Sequence, residues 1–218
     1  MSVPKTPEDV NFTRYTCEEY ARHLAAREPI PGGGGAAAYT GALGIALAAM
    51  AGAFALGKSR YAAYEKDLTS HIARAERLRK ELLELVNEDS RQFLLVSDAF
   101  AIPKDNPSRS TRIEEALIAA AKPPLRVMEV ICETIALLEE MQVKGSRLLL
   151  SDVGCGAALS RGALEAASHT VFVNTRSMQD RVYAASVNER AKALMDEWIP
   201  RAEALSRHVS AHLQGEEA

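Results

Sequence analysis

Hydrophobic and polar positions follow a helical period over most of the chain. A first helix opens in "TCEEYARHLAAR", where Thr16 and Glu19 have capping-box spacing, and should end before Pro29 and Pro31. Ala36 to Gly57 reads as a second helix, because alanine is the best helix former, and Gly57 suits its C-cap. A third runs from Tyr61 to Phe100, with Ala75, Leu78, Leu82, Leu85, Asp89, Phe93 and Val96 along one face. The prolines of "AIPKDNPSRS" interrupt the pattern. Thr111 and Glu114 suggest another capping box, opening a helix to Ala121. Pro123 and Pro124 suit the start of the next helix, which runs to Val143 and closes at Gly145. A further run covers Ser151 to Ser168. "HTVFVNTRSM" is β-branched and fits either a short extended piece or a joint between helices. A charged helix from Asp180 to Leu213 ends the chain. With no repeat, low-complexity segment or break in composition, residues 1–218 are expected to form one all-α domain, a helical bundle.

The segment from Pro29 to Gly57 carries no charge and is long enough to cross a bilayer. Its content argues otherwise. Most positions are alanine or glycine, which gain little in lipid, and no basic flank sets an orientation. Small residues let helix backbones approach closely, so the segment is expected to be a buried Gly/Ala-rich helix packed against others, with no membrane partner.

Composition narrows the picture further. The 218 residues carry a formal net charge of -3, without the basic footprint of a nucleic-acid binder. Three widely spaced cysteines, Cys17, Cys132 and Cys155, form no CxxC motif, which points to reduced thiols and a cytoplasmic setting. The start "MSVPKTPEDVNF" lacks the apolar core of a signal peptide.

Several residues are candidates for chemistry. Gly32, Gly33, Gly34 and Gly35 are either a flexible turn or an anion site built from bare backbone N–H groups at a helix start. No GK[ST] follows and no strand precedes, so neither a Walker loop nor a dinucleotide fingerprint is present. Asp89 falls on an apolar face. It is either half of a buried ion pair or an acid–base group with a raised pKa. Asp152, beside Ser151, suits a helix N-cap and could also hold a ligand. Asn174 could cap a turn or read a ligand, and Lys58 could serve the helix dipole or a substrate carboxylate. His208 and His212 have metal-compatible spacing but no third ligand nearby, and a solvated helix face accounts for them, so no metal site is expected.

Taken in order, these motifs resemble the cyclodeaminase/cyclohydrolase family, which comprises the C-terminal domain of formiminotransferase-cyclodeaminase and stand-alone methenyltetrahydrofolate cyclohydrolases. The resemblance runs from Tyr20 to Tyr183. It is carried by "PGGGGAAA", "GALGIALAAM", "GKSRY", "EDSRQF" through Asp89 and Phe93, "IPK", "PPL", "KG" with "SDVG", and "VFVN". Members commonly carry asparagine where this chain has Ala53, Ser146, Leu148 and Thr170, and many carry an acidic residue in place of Asn87.

The resemblance implies a homodimer acting on a tetrahydrofolate derivative, with no cofactor beyond that one-carbon carrier and no metal. The leading expectation is formiminotetrahydrofolate cyclodeaminase, forming 5,10-methenyltetrahydrofolate and ammonia with a separate formiminotransferase as a potential partner. Methenyltetrahydrofolate cyclohydrolase is the alternative. The missing asparagines add a third, a diverged ligand-binding dimer without catalysis. In the enzymatic readings Asp89 is the general acid–base, and Asp152 is either a partner that separates the two carboxylate pKa values or a residue that holds the pterin. Gly32 to Gly35, Lys58 and Tyr61 meet the substrate, with the glycines and Lys58 on its glutamate tail, and Asn174 orients it.

Overall fold

A computed structural model describes residues 4–216. Among them are seven α-helices and no strand: α1 Cys17–Leu24, α2 Gly33–Ala55, α3 Glu65–Ala101, α4 Arg109–Ala120, α5 Lys122–Lys144, α6 Leu150–Arg176 and α7 Arg181–Gln214. Short 3₁₀ turns precede α1, α3 and α6. The chain is thus an all-α bundle. Its axis is α2, which packs against α3, α5 and α6, while α7 closes the far side over α5 and α6.

Glycines on α2 set how close those helices come. A Cβ on Gly44 would lie 2.6 Å from Ser160 Oγ and 3.2 Å from the Gly156 carbonyl on α6. One on Gly41 would press on Ile131 of α5 at 3.0 Å. Around this axis Ile45, Leu82, Ile131, Ile135, Leu138 and Leu164 are fully buried, each such side chain contributing roughly 1.5–3 kcal/mol. By length and composition α2 passes as a bilayer span, with mean hydropathy 1.6, but half of that window is buried in the bundle. The rest forms an uncharged outward face on which Leu43 is 45% and Phe54 51% exposed.

Several ends follow the local signals. Thr16 accepts from the Glu19 N–H while the Glu19 carboxylate accepts from the Thr16 N–H, which completes the first capping box. Gly145 follows α5, and left-handed Gly215 follows α7. Other expectations are corrected. The second helix begins at Gly33, not Ala36, because its first turn is held against α3. Thr111 and Glu114 form no capping box. The Glu114 carboxylate instead accepts from the backbone N–H groups of Gln179 and Asp180, at 2.7 and 2.9 Å, and braces the turn into α7. "HTVFVNTR" is neither extended nor a joint but the last part of one continuous helix, α6. Val171 is buried in the core there, and that burial overrides the weak helix propensity of its β-branched neighbours.

Two substitutions test the packing. Gly44→Ala should lower the urea midpoint by the equivalent of about 1–3 kcal/mol, since Ser160 and the α6 backbone leave its methyl no room. Gly162→Ala, on α6 with nothing within 4 Å of the new methyl, should raise it by up to about 1 kcal/mol.

Candidate active site

One cleft of about 360 Å³ opens where the N-terminus of α2 meets α3, the end of α4 and the end of α6. Volumes of this order suit a small-molecule ligand. Gly32, Gly33 and Gly34 line one side, Asp89, Phe93, Val96 and Phe100 another, and Leu117, Thr170, Val173 and Asn174 the remainder. The α3 residues follow one another by four, three and four positions, so the apolar stripe of the bundle continues straight into the cleft wall. Phe93 and Phe100 are each 46% exposed there, unusual for phenylalanines not covered by a partner.

Asp89 sits at the base of the glycine turn. Its Oδ2 accepts from the Gly35 N–H at 2.9 Å. A Cβ on Gly34 would overlap the same carboxyl, so only glycine lets the acid reach this position. Among the described residues no cationic side chain is paired with it. Burial therefore dominates and raises the pKa to about 6, opposed only by the Gly35 hydrogen bond. This is the buried-acid alternative rather than the ion pair. Gly33 and Gly34 also occupy the first turn of α2, where N–H groups lack intrahelical acceptors.

Tyr20, which sequence reasoning missed, backs the acid. Its buried hydroxyl has no hydrogen-bond partner among the described residues and would stand 3.3 Å from a Cβ on Gly35. Burial, and then the Asp89 charge, push its pKa above the ordinary tyrosine value. Thr170, Val96 and Phe100 were likewise not assigned to a site. The helical step from Asp89 to Phe93 and Val96 leads on to Phe100, and Thr170 lies one turn before Asn174.

Asn174 lines the same cleft as Asp89. Its Nδ2 donates to the carbonyls of Ala120, at 3.1 Å, and Thr170, at 3.0 Å. Asp152 lies elsewhere. It is in the first turn of α6 and accepts a long bond from Ser151 Oγ, 3.5 Å, without acting as the N-cap, which is Leu149. Thr170 follows it by eighteen positions on the same helix, about 27 Å at 1.5 Å per residue. Lys58 and Tyr61 lie past the other end of α2. Lys58 Nζ sits 5.8 Å from the centre of the Phe54 ring, and the Tyr61 hydroxyl accepts from the Arg147 N–H at 3.0 Å. A single chain thus brings the glycines, Asp89 and Asn174 together and leaves Asp152, Lys58 and Tyr61 at the opposite end.

The positions that depart from the family pattern divide in the same way. Thr170 lines the cleft. Ala53 and Leu148 are exposed, and buried Ser146 donates its N–H to the Ala51 carbonyl at 2.9 Å, all at the Lys58 end. Asn87 lies in neither place. Its Oδ1 accepts from the Phe12 N–H at 2.8 Å and its Nδ2 donates to Thr13 Oγ1, which pins the N-terminal segment to α3. Among the described residues no group of three His, Cys, Asp or Glu side chains is arranged to hold a metal.

A helical bundle with one buried acid in a largely apolar cleft is the arrangement of a small-molecule site that holds a titratable carboxyl. The formiminotransferase-cyclodeaminase family profile matches residues 16–193, and the chain belongs to that family. It is 36% identical to methenyltetrahydrofolate cyclohydrolase of Methylorubrum extorquens, over 82% of this chain and 86% of that protein. It is 27% identical to formimidoyltransferase-cyclodeaminase of Mus musculus over 89% of its own length but only 37% of the mouse protein. The fold superposes on formiminotetrahydrofolate cyclodeaminase from Thermotoga maritima with a TM-score of 0.81 at 24% identity, covering 92% of this chain and all of that one.

Asp89 has a thermodynamic signature. Its folded pKa of about 6 lies above the ordinary 3.8, so the folded state binds the extra proton and stability falls as pH rises through that interval. Asp89→Asn removes this dependence while still accepting from Gly35. Its Tm relative to the parent should therefore climb between pH 4 and pH 6 and stay higher at pH 7. Parallel Tm-versus-pH curves would contradict the raised pKa.

Proposed function

We propose that the chain is a methenyltetrahydrofolate cyclohydrolase, converting 5,10-methenyltetrahydrofolate to 10-formyltetrahydrofolate. The observation that carries this is Asp89, an unpaired carboxyl with a pKa of about 6 at the base of the cleft, largely ionised at neutral pH. In that form it accepts a proton from water attacking the methenyl carbon, and its charge opposes that of the cationic substrate. The resulting tetrahedral adduct opens by breaking the bond between that carbon and N5, N5 takes the proton that Asp89 holds, and the adduct's hydroxyl proton leaves to solvent as its oxygen becomes the formyl carbonyl, so one proton is released overall. The relative at 36% identity, covered over 86% of its length, supports this choice over the cyclodeaminase that the motifs first suggested.

The cyclodeaminase reaction is the second reading, favoured by the family description and the mouse relative. Here N10 attacks the carbon of the protonated formimino group, and the proton N10 sheds passes through Asp89 to the amino nitrogen, which departs as ammonia and leaves the methenyl cation. A separate formiminotransferase would supply that substrate. Either reaction runs in the cytoplasm with no cofactor beyond the folate carrier.

The working unit is a homodimer in this reading, supported by the uncharged outward face of α2 with Leu43 and Phe54 exposed on it. Two-fold pairing of such faces with α2 antiparallel sets the Lys58, Tyr61 and Asp152 end of one copy beside the glycine end of the other. That arrangement gives Lys58 access to the substrate's glutamate tail and Asp152 access to the pterin, roles that one copy alone cannot combine with Asp89.

Absorbance at the methenyltetrahydrofolate band tests the chemistry. Accelerated loss with 5,10-methenyltetrahydrofolate is expected. It should weaken as pH falls through about 6, and Asp89→Asn should reduce kcat by about 10²–10⁴-fold. A rise with 5-formiminotetrahydrofolate alone would select the deaminase instead, and silence with both from a folded protein would leave the diverged binder. The shared site has its own test. Lys58→Ala and Asp89→Asn proteins, each weakened alone, should regain activity when unfolded together and refolded as mixed dimers. No regain would exclude a site built from both copies.

A further inference from the structure

Two motifs that lie far apart in the sequence, "PPL" and "VFVN", meet at one carbonyl. The backbone passes from α4 to α5 through Ala121 in helical conformation, and the Leu125 N–H still donates to the Ala121 carbonyl at 3.4 Å. In an uninterrupted helix the preceding carbonyl, that of Ala120, would accept from the N–H of residue 124. Residue 124 is proline and has none. The donor comes from elsewhere, since Asn174 Nδ2 reaches over from α6 and donates to Ala120 O at 3.1 Å. Its second hydrogen goes to Thr170 O at 3.0 Å, one turn back on α6.

A primary amide has two donors, and both are now spent on backbone. What remains of Asn174 for the cleft it lines is its carbonyl oxygen, an acceptor only. The orientation is fixed, because turning the amide over would place its oxygen against two carbonyl oxygens. Phe93 and Phe100 line the same cleft, and their exposed rings suit a flat heterocycle.

Resting on the folate reading above, we infer that Asn174 is a specificity-determining residue. Its side-chain carbonyl, locked by the N–H that Pro124 lacks, accepts a hydrogen bond from the amino-pyrimidine edge of the bound pterin, where the ring carries its N–H donors. A site that presents a fixed acceptor discriminates strongly against a ring lacking the matching donor, because the buried acceptor is then left unpaired. Pro124 is a positioning residue that acts through Asn174.

Calorimetric titration of tetrahydrofolate into the parent, Asn174→Leu, Pro124→Ala and the double variant tests this, with Tm and the split between kcat and KM as further readouts. Asn174→Leu should weaken binding by about tenfold and act on KM more than kcat. Its Tm should also drop, because the Ala120 carbonyl loses its donor. Pro124→Ala supplies a backbone N–H that competes for that carbonyl, so it should weaken binding by a smaller factor in the parent and not at all in the Asn174→Leu background. In that background it should raise the Tm again without restoring affinity, a combination that a purely structural asparagine would not give. Parent-like binding by folded Asn174→Leu, or a Pro124→Ala effect of equal size with and without Asn174, overturns the assignment alone. If the parent itself binds no tetrahydrofolate, the folate reading falls and this assignment with it.

Discussion

The arrangement depends on the absence of side chains along one face of α2. At Gly34 this lets a carboxyl from α3 sit against the first turn of the helix, and at Gly41 and Gly44 it lets α5 and α6 close on the backbone itself. Dispersion and apolar burial reward such closeness only if nothing projects into the gap. The same property that packs the bundle thus makes room for its acid. Glycine in a helix costs conformational entropy, and the dense contacts of α2 with three neighbouring helices offset that cost.

That acid is tuned by what surrounds it. An arginine beside Asp89 would make it a permanent carboxylate, and full apolar burial would keep it protonated at neutral pH. One backbone N–H and a partly apolar cleft leave it between these limits, where a group can both take and return a proton. Hydration of a methenyl carbon and loss of ammonia from a formimino adduct make nearly the same demand on such a group.

Two polar side chains of the bundle are placed by displacement. Glu114 leaves its own helix start to brace the entry to α7, and Asn174 gives one amide hydrogen to the Ala120 carbonyl, which Pro124 had left without its helical donor, and the other to Thr170 one turn back. In both cases a backbone group that must be satisfied decides where a side chain points. Asn87 shows the converse. A position that looks like a lost site residue in the sequence is engaged in holding the N-terminal segment, away from the cleft.

Much of this was legible in the residues themselves. Period, capping and proline placement marked the helices, and a lone aspartate on an apolar stripe marked the acid, because these signals are local or repeat along one helix. The motifs taken together also pointed to the family. What the chain could not reveal was distance. Asp152 and Asn174 share α6 and look like neighbours in a motif list, yet a straight helix holds them far apart, and Lys58 is separated from the glycines by the whole of α2. Nor could it show that Val171 would be buried deeply enough to keep a β-branched stretch helical, or that Pro124 and Asn174 answer each other across the bundle. Those outcomes belong to the tertiary structure, because burial and hydrogen-bond satisfaction are set by which helices meet, and no single helix contains its partner.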